Sequence, residues 1–108
     1  MNNLTRTFAA LGDPTRLAIV ERLLGEGELS VGELLSDATV SAPAFSRHLK
    51  VLRDAGIVEQ RIDRQRRLYR ARPQPVQAIS AWTSTYREFW QANLDRLDKA
   101  LMEEMKRR

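Results

Sequence analysis

The sequence predicts a small, mostly α-helical fold carrying one β-hairpin, in the order α-α-α-α-β-β-α. Three observations lead there. Apolar residues recur at three- and four-residue steps through most of the chain, which is the helical period. That period gives way to alternation only over residues 57–71. Nine of the eighteen Lys and Arg residues fall between Arg47 and Arg72, against three acids, so this window is net +6 while the rest is net −2. A positive field focused on one stretch is the footprint expected for a polyanion, of which nucleic acid is the commonest.

The first helix is read from Leu4, Phe8 and Leu11, with Asn2 or Asn3 as cap and Gly12 as stop. Asp13-Pro14 opens the second: Asp caps, and Pro occupies the first helical position, where its missing N–H is harmless. Leu17, Val20 and Leu24, flanked by Ile19 and Leu23, form its apolar stripe, and Gly25 is the expected stop. Ser30-Val31-Gly32-Glu33 fits a capping box for a short third helix burying Val31, Leu34 and Leu35. Ser41 caps the fourth, where Phe45, Leu49 and Leu52 face inward and Gly56 terminates. Two helices a few residues apart, the second basic outside, make a helix-turn-helix pattern.

Residues 57–62 and 67–71 read as two strands around Asp63-Arg64-Gln65-Arg66, ended by Pro73 and Pro75. From Val76 one long helix is expected, carrying Ile79, Trp82, Tyr86, Phe89, Trp90, Leu94, Leu97, Leu101 and Met105. From Trp90 the apolar steps are close to a coiled-coil seam.

At 108 residues the chain has room for one domain, taken as 1–108. No apolar stretch approaches the ~18–20 residues of a membrane span, and the N-terminus lacks a signal-peptide run. With no Cys, neither disulfides nor thiolate ligands are available. A cytoplasmic protein without cofactor or membrane partner is the simplest expectation.

Three segments carry a resemblance: Leu11-Gly12-Asp13-Pro14-Thr15-Arg16-Leu17; Ser46-Arg47-His48-Leu49-Lys50-Val51-Leu52-Arg53-Asp54-Ala55-Gly56-Ile57-Val58; and Arg66-Arg67-Leu68-Tyr69. Together they resemble the ArsR-type winged helix-turn-helix repressors, over roughly Leu4 to Glu104. The resemblance implies a homodimeric, DNA-binding transcriptional regulator, usually a repressor and frequently autoregulatory. It also implies a subgroup with a long aromatic C-terminal helix. Metal sensors of the family often carry Cys-x-Cys in the third helix, where this chain has Ser30 and Gly32; others use His on the last helix, whereas His48 is the only His here. No metal site is therefore expected. Relatives commonly place Gly at the wing tip where Gln65 stands, which leaves the turn geometry open.

With Phe45, Leu49 and Leu52 inward, the recognition helix offers Ser41, Ala42, Pro43, Ala44, Ser46 and Arg47 to a major groove, with His48 and Lys50 as phosphate candidates. Arg47 suits guanine O6 and N7 or a phosphate; Ala42, Pro43 and Ala44 can touch thymine methyls. Residues two apart point ~200° away from each other on a helix, so Ser46 and His48 are no catalytic pair. His48 is open between a phosphate and neighbouring backbone. In the wing, Arg64, Arg66 and Arg67 are expected along the flanking minor groove. Alternation directs Leu68 to the core and leaves Tyr69 open between sheet packing and a phosphate.

Trp82, Tyr86, Phe89, Trp90, Leu94 and Leu97 exceed what a small monomer can hide, and are expected with Leu4 and Phe8 in a homodimer interface. A pocket there for a small-molecule inducer is the alternative; no residue identifies such a molecule. The partner expected is a double-stranded DNA operator, an imperfect palindrome. A winged-helix module docking an acidic protein is the competing function, and no enzyme constellation is present in the sequence.

Overall fold

The computed structural model describes residues 3–107. Its elements are α1 (Asn3–Leu11), α2 (Pro14–Glu26), β1 (Leu29–Ser30), α3 (Val31–Leu35), α4 (Ala42–Asp54), β2 (Val58–Asp63), β3 (Arg66–Ala71), α5 (Pro73–Thr85) and α6 (Arg87–Lys106). The chain divides into two compact units, Met1–Val76 and Gln77–Arg108. The mostly helical, winged helix-turn-helix class is as expected, and the element order differs from the expected one in two places.

The first difference is β1. This two-residue strand pairs antiparallel with β3, Leu29 opposite Tyr69 and Ser30 opposite Leu68, so the hairpin becomes a three-stranded sheet in the order β1-β3-β2. The second lies in the C-terminal unit, where the expected single helix breaks at Tyr86 (φ −103°, ψ 4°). Just before the break, the Thr83 and Thr85 hydroxyls donate to the Ile79 and Ala81 carbonyls. Threonines bonded back by four residues bend helices, and here they precede a turn closed by the Tyr86 N–H on the Thr83 carbonyl. The helix also starts at Pro73 rather than after Pro75, because Pro is tolerated throughout a first turn.

Local signals fix most boundaries. Asp13 caps α2, its Oδ2 accepting the Thr15 and Arg16 N–H groups at 2.9 and 3.1 Å. The α3 capping box is complete in both directions. α2 runs through Gly25 and ends at Gly27, whose φ of 83° is the left-handed stop. Asn2, a proposed cap for α1, lies outside the described residues.

The core of the N-terminal unit gathers Ile19, Val20 and Leu23 from α2, Leu34 from α3, and Phe45, Leu49 and Leu52 from α4. Ala10, Leu29, Ile57, Val58 and Tyr69 complete it. Leu17 and Leu24, assigned to the α2 stripe, are exposed, so the stripe is narrower and centred on Leu23. In β3 Leu68 is buried as expected and Tyr69, left open by the sequence, joins the core cluster; alternation puts Leu68 on the opposite face of the strand. On that opposite face Arg61 and Glu28 form a two-bonded ion pair (2.7 and 2.8 Å) reaching across β3.

Leu52 is fully buried at the centre of this core. Leu52→Ala is expected to lower unfolding stability by ~2–5 kcal/mol through lost burial and a residual cavity, read by urea denaturation.

Candidate nucleic-acid interface

α4 begins at Ser41, whose Oγ accepts the Ala44 N–H at 3.3 Å. Turning Phe45, Leu49 and Leu52 inward leaves Ala42, Pro43, Ser46, Arg47 and Lys50 exposed and Ala44 half-buried. The helix is tied to its neighbours at two heights. Arg6 donates to the Asp54 carbonyl at 2.7 Å, joining α1 to the α4 C-terminus. His48 makes the other tie.

His48 departs from the outward set. Its Nδ1 lies 3.2 Å from Arg16 Nη1 and 3.7 Å from Asp13 Oδ2, at the N-terminus of α2. Arg16 can only donate, so Nδ1 is the acceptor there. Within the chain its partner is therefore the start of α2 and not the neighbouring backbone, and His48 belongs to an α2–α4 cluster. Arg16 is anchored in turn by its Nε–H on the Ala10 carbonyl at 2.6 Å.

The wing tip is a two-residue turn between Asp63 and Arg66. Its positive φ falls on Arg64 (60°) and not on Gln65, the position in question from the sequence. Positive φ at the first central residue alone is the type II′ pattern, which suits the twist of a hairpin. Tyr69 is resolved as a packing residue: it is 6 % exposed and its hydroxyl donates to Gln60 Oε1 at 3.0 Å. Arg53 of α4 donates to the same oxygen. Gln60 thereby couples the end of the recognition helix to the hairpin, a role that a lone Gln in a strand gives no sign of.

Not all of the local cations are uncommitted. Arg61 pairs with Glu28, Arg66 with Glu33 at 3.2 Å, and Arg70 with Glu59. Arg72 donates to the Gly56 carbonyl at 3.3 Å. Glu28 and Glu33 lie outside the basic window in sequence, so the window's net charge overstates the field. Both carboxyls are held below the usual range: Glu28 by the Arg61 guanidinium, Glu33 first by the Ser30 backbone N–H. The side chains of Arg47, Lys50, Arg64 and Arg67 make no hydrogen bond or ion pair among the described residues. Two stand on α4 and two on the wing.

In the C-terminal unit, Tyr86, Phe89, Trp90, Leu94 and Leu97 are all about half or more exposed, as is Trp82, with Trp82–Tyr86 and Phe89–Trp90 edge-to-face at 5.5 Å. A shallow concavity of about 260 Å³ lies among the aromatic rings. Among the described residues no three His, Cys, Asp or Glu side chains group as metal ligands, and no helix is long and apolar enough to cross a membrane.

The Arg16 backbone N–H, with smaller help from the Thr15 N–H and the Arg16 guanidinium, holds the Asp13 carboxyl below its ordinary value. A depressed carboxyl contributes stability above its unfolded pKa of ~3.9 and loses it as pH falls through the folded value. Asp13→Asn is therefore expected to melt below wild type at pH 7, with the gap closing as pH falls from about 5 to 3. Thermal melts across that range check the sign.

Residues 11–61 match the family described as a helix-turn-helix domain. The chain is 50 % identical over 74 residues to the HTH-type transcriptional regulator Rv2034 of Mycobacterium tuberculosis, covering 68 % of each chain. The crystal structure of the ArsR family transcriptional regulator RHA00566 superposes with a TM-score of 0.72 at 31 % identity, over 82 % of this chain and 91 % of that one. The transcriptional repressor BigR from Xylella fastidiosa superposes at 0.61 with 35 % identity, over 76 % and 84 %. With α4 capped and exposed beside an arginine-bearing hairpin, and with relatives that are regulators rather than enzymes, the chain belongs to the ArsR family of winged helix-turn-helix, DNA-binding transcriptional regulators.

Proposed function

We propose that the protein is a homodimeric repressor of an imperfect palindromic operator. The observation that carries the reading is where the uncommitted cations of the N-terminal unit fall: Arg47 and Lys50 on α4, Arg64 and Arg67 on the wing. In this reading α4 enters the major groove, presenting Ser41, Ala42, Pro43, Ala44, Ser46 and Arg47, while the wing arginines follow the adjacent minor groove. The repressor sense is supported by relatives such as BigR, named as a transcriptional repressor.

The dimer is supported by the α6 surface. Trp90 is 62 % exposed, and Phe89, Leu94, Leu97, Leu101 and Met105 are more than half exposed, an apolar row of the kind that monomers rarely leave in water. A second copy presenting the same face satisfies it, and Phe8 (exposed) and Leu4 (half-buried) of α1 are assigned to the same interface. The chain 1–108 then acts as one DNA-binding domain with its dimerisation helices.

Two recognition helices must meet the duplex about one turn, ~34 Å, apart. Four cations per subunit predict a slope of roughly −7 for log K against log[salt], at −0.9 per phosphate. Mobility shifts on the DNA upstream of the protein's own gene, against scrambled competitor at several salt concentrations, test this. Binding without sequence preference would favour an acidic protein partner instead. Light scattering should give twice the chain mass. Arg47→Ala is expected to relax base preference at one position per half-site, costing ~1–3 kcal/mol there; an equal loss on all sequences would reassign Arg47 to phosphate.

A further inference from the structure

The recognition helix and the wing face each other across a cleft of about 600 Å³. Ser46, Lys50 and Arg53 line its α4 side, Arg66 and Arg67 its β3 side, and Tyr69 lies among them. A duplex that places its major groove on α4 and the neighbouring minor groove on the hairpin must pass the strand between those grooves over this cleft. That strand carries one negative charge per ~3.4 Å of helix axis.

The cations of the cleft are not equivalent. Lys50 and Arg67 have no protein partner among the described residues, and Arg53 is directed to Gln60. Arg66 is held by Glu33, Nη2 to Oε1 at 3.2 Å. Glu33 is no wandering surface acid. The same Oε1 accepts the Ser30 N–H at 3.2 Å, and the Glu33 N–H donates to Ser30 Oγ at 3.1 Å. These reciprocal bonds fix a carboxylate beside Arg66, and the Ser30 N–H holds that carboxyl below its ordinary value.

We propose that the cleft between α4 and β3 seats the backbone phosphates of the strand dividing the two grooves, through Lys50 and Arg67, and that Glu33 withholds Arg66 from them and so limits affinity. The inference rests on the DNA-binding reading above and deepens it. It makes Glu33 a positioning residue, acting on DNA only through Arg66. A phosphate placed here meets two available cations and one already neutralised, with a fixed negative charge behind it.

Two variants separate this arrangement from a merely structural ion pair. Glu33→Gln keeps an oxygen for the Ser30 N–H, since Gln serves in capping boxes, but drops the charge that holds Arg66. Arg66→Gln leaves the capping box untouched. Binding of the full chain is measured on its own upstream duplex and on a scrambled duplex of equal length, from about 50 to 300 mM salt. Glu33→Gln is expected to bind both duplexes ~3–10-fold tighter near 0.1 M salt. Its salt slope should steepen by about 2 per dimer, one added phosphate contact per subunit at −0.9 each. Arg66→Gln should leave the wild-type slope unchanged, and Lys50→Gln should make it shallower by about 2 on both duplexes.

Weaker binding or an unchanged slope for Glu33→Gln overturns the proposal. So does a shallower slope for Arg66→Gln, which would mean that Arg66 already contacts phosphate. Should the wild type ignore its own upstream sequence while Glu33→Gln still steepens the slope on both duplexes, the operator reading fails and the cleft stands. A wild-type chain that binds neither duplex removes both.

Discussion

β3 is the strand on which the N-terminal unit is assembled. It pairs on one side with β1 and on the other with β2, and those two neighbours are the entry to α3 and the exit from α4. Ser30 is at once the last residue of β1 and the N-cap of α3, so its pairing with Leu68 sets where the helix-turn-helix begins. At the other end, the Arg72 N–H donates to the Ile57 carbonyl at 2.8 Å, closing β3 against the start of β2 just after α4. Tyr69 adds the side-chain part, filling the core and engaging Gln60. The helix-turn-helix pair α3–α4 is thus bounded at both ends by strands paired to β3, and its setting against the wing is a property of the sheet rather than of a flexible connection.

Electrostatics then act on a preset geometry. The acids of α3 and of the segment before β1 neutralise arginines that sequence position alone would count toward DNA. Exposed ion pairs of this kind add little stability, with typical values of ~0–1 kcal/mol. Their consequence is selective: they decide which guanidinium groups remain for a phosphate and which point along the protein. A regulator must release its operator as well as find it, and net charge that is partly self-compensated favours release without altering the bases read.

Much of this was legible from sequence because the signals are local. Asp13-Pro14, Ser30 with Glu33, and Ser41 each declare a helix start within four residues, and each cap is present. The alternation after Gly56 gave the hairpin, and the apolar spacing of Phe45, Leu49 and Leu52 gave the inward face of α4. What escaped depends on distance along the chain. β1 is two residues long and exists only through a partner almost forty residues away. Glu33 reads completely as a capping residue, and nothing nearby announces Arg66 as a second partner. His48 looks outward by neighbourhood and is turned by Arg16, thirty-two residues earlier. The break at Tyr86 has neither Gly nor Pro to mark it, and the apolar period continues straight through. Tyr69 stayed open because alternation fixes which residues share a side of a strand, not what each side packs against.

The hairpin apex has one further implication. A two-residue turn of this type demands a left-handed backbone at its first position, and Arg64 occupies it without the freedom of glycine. For an ordinary L-residue that conformation costs roughly 1–2 kcal/mol, carried by the strands on either side. A long, supple loop would have to be ordered on every encounter with a target. Here the ordering happens once, as the chain folds, so the apical backbone is in place before any encounter and an association there forfeits little main-chain freedom.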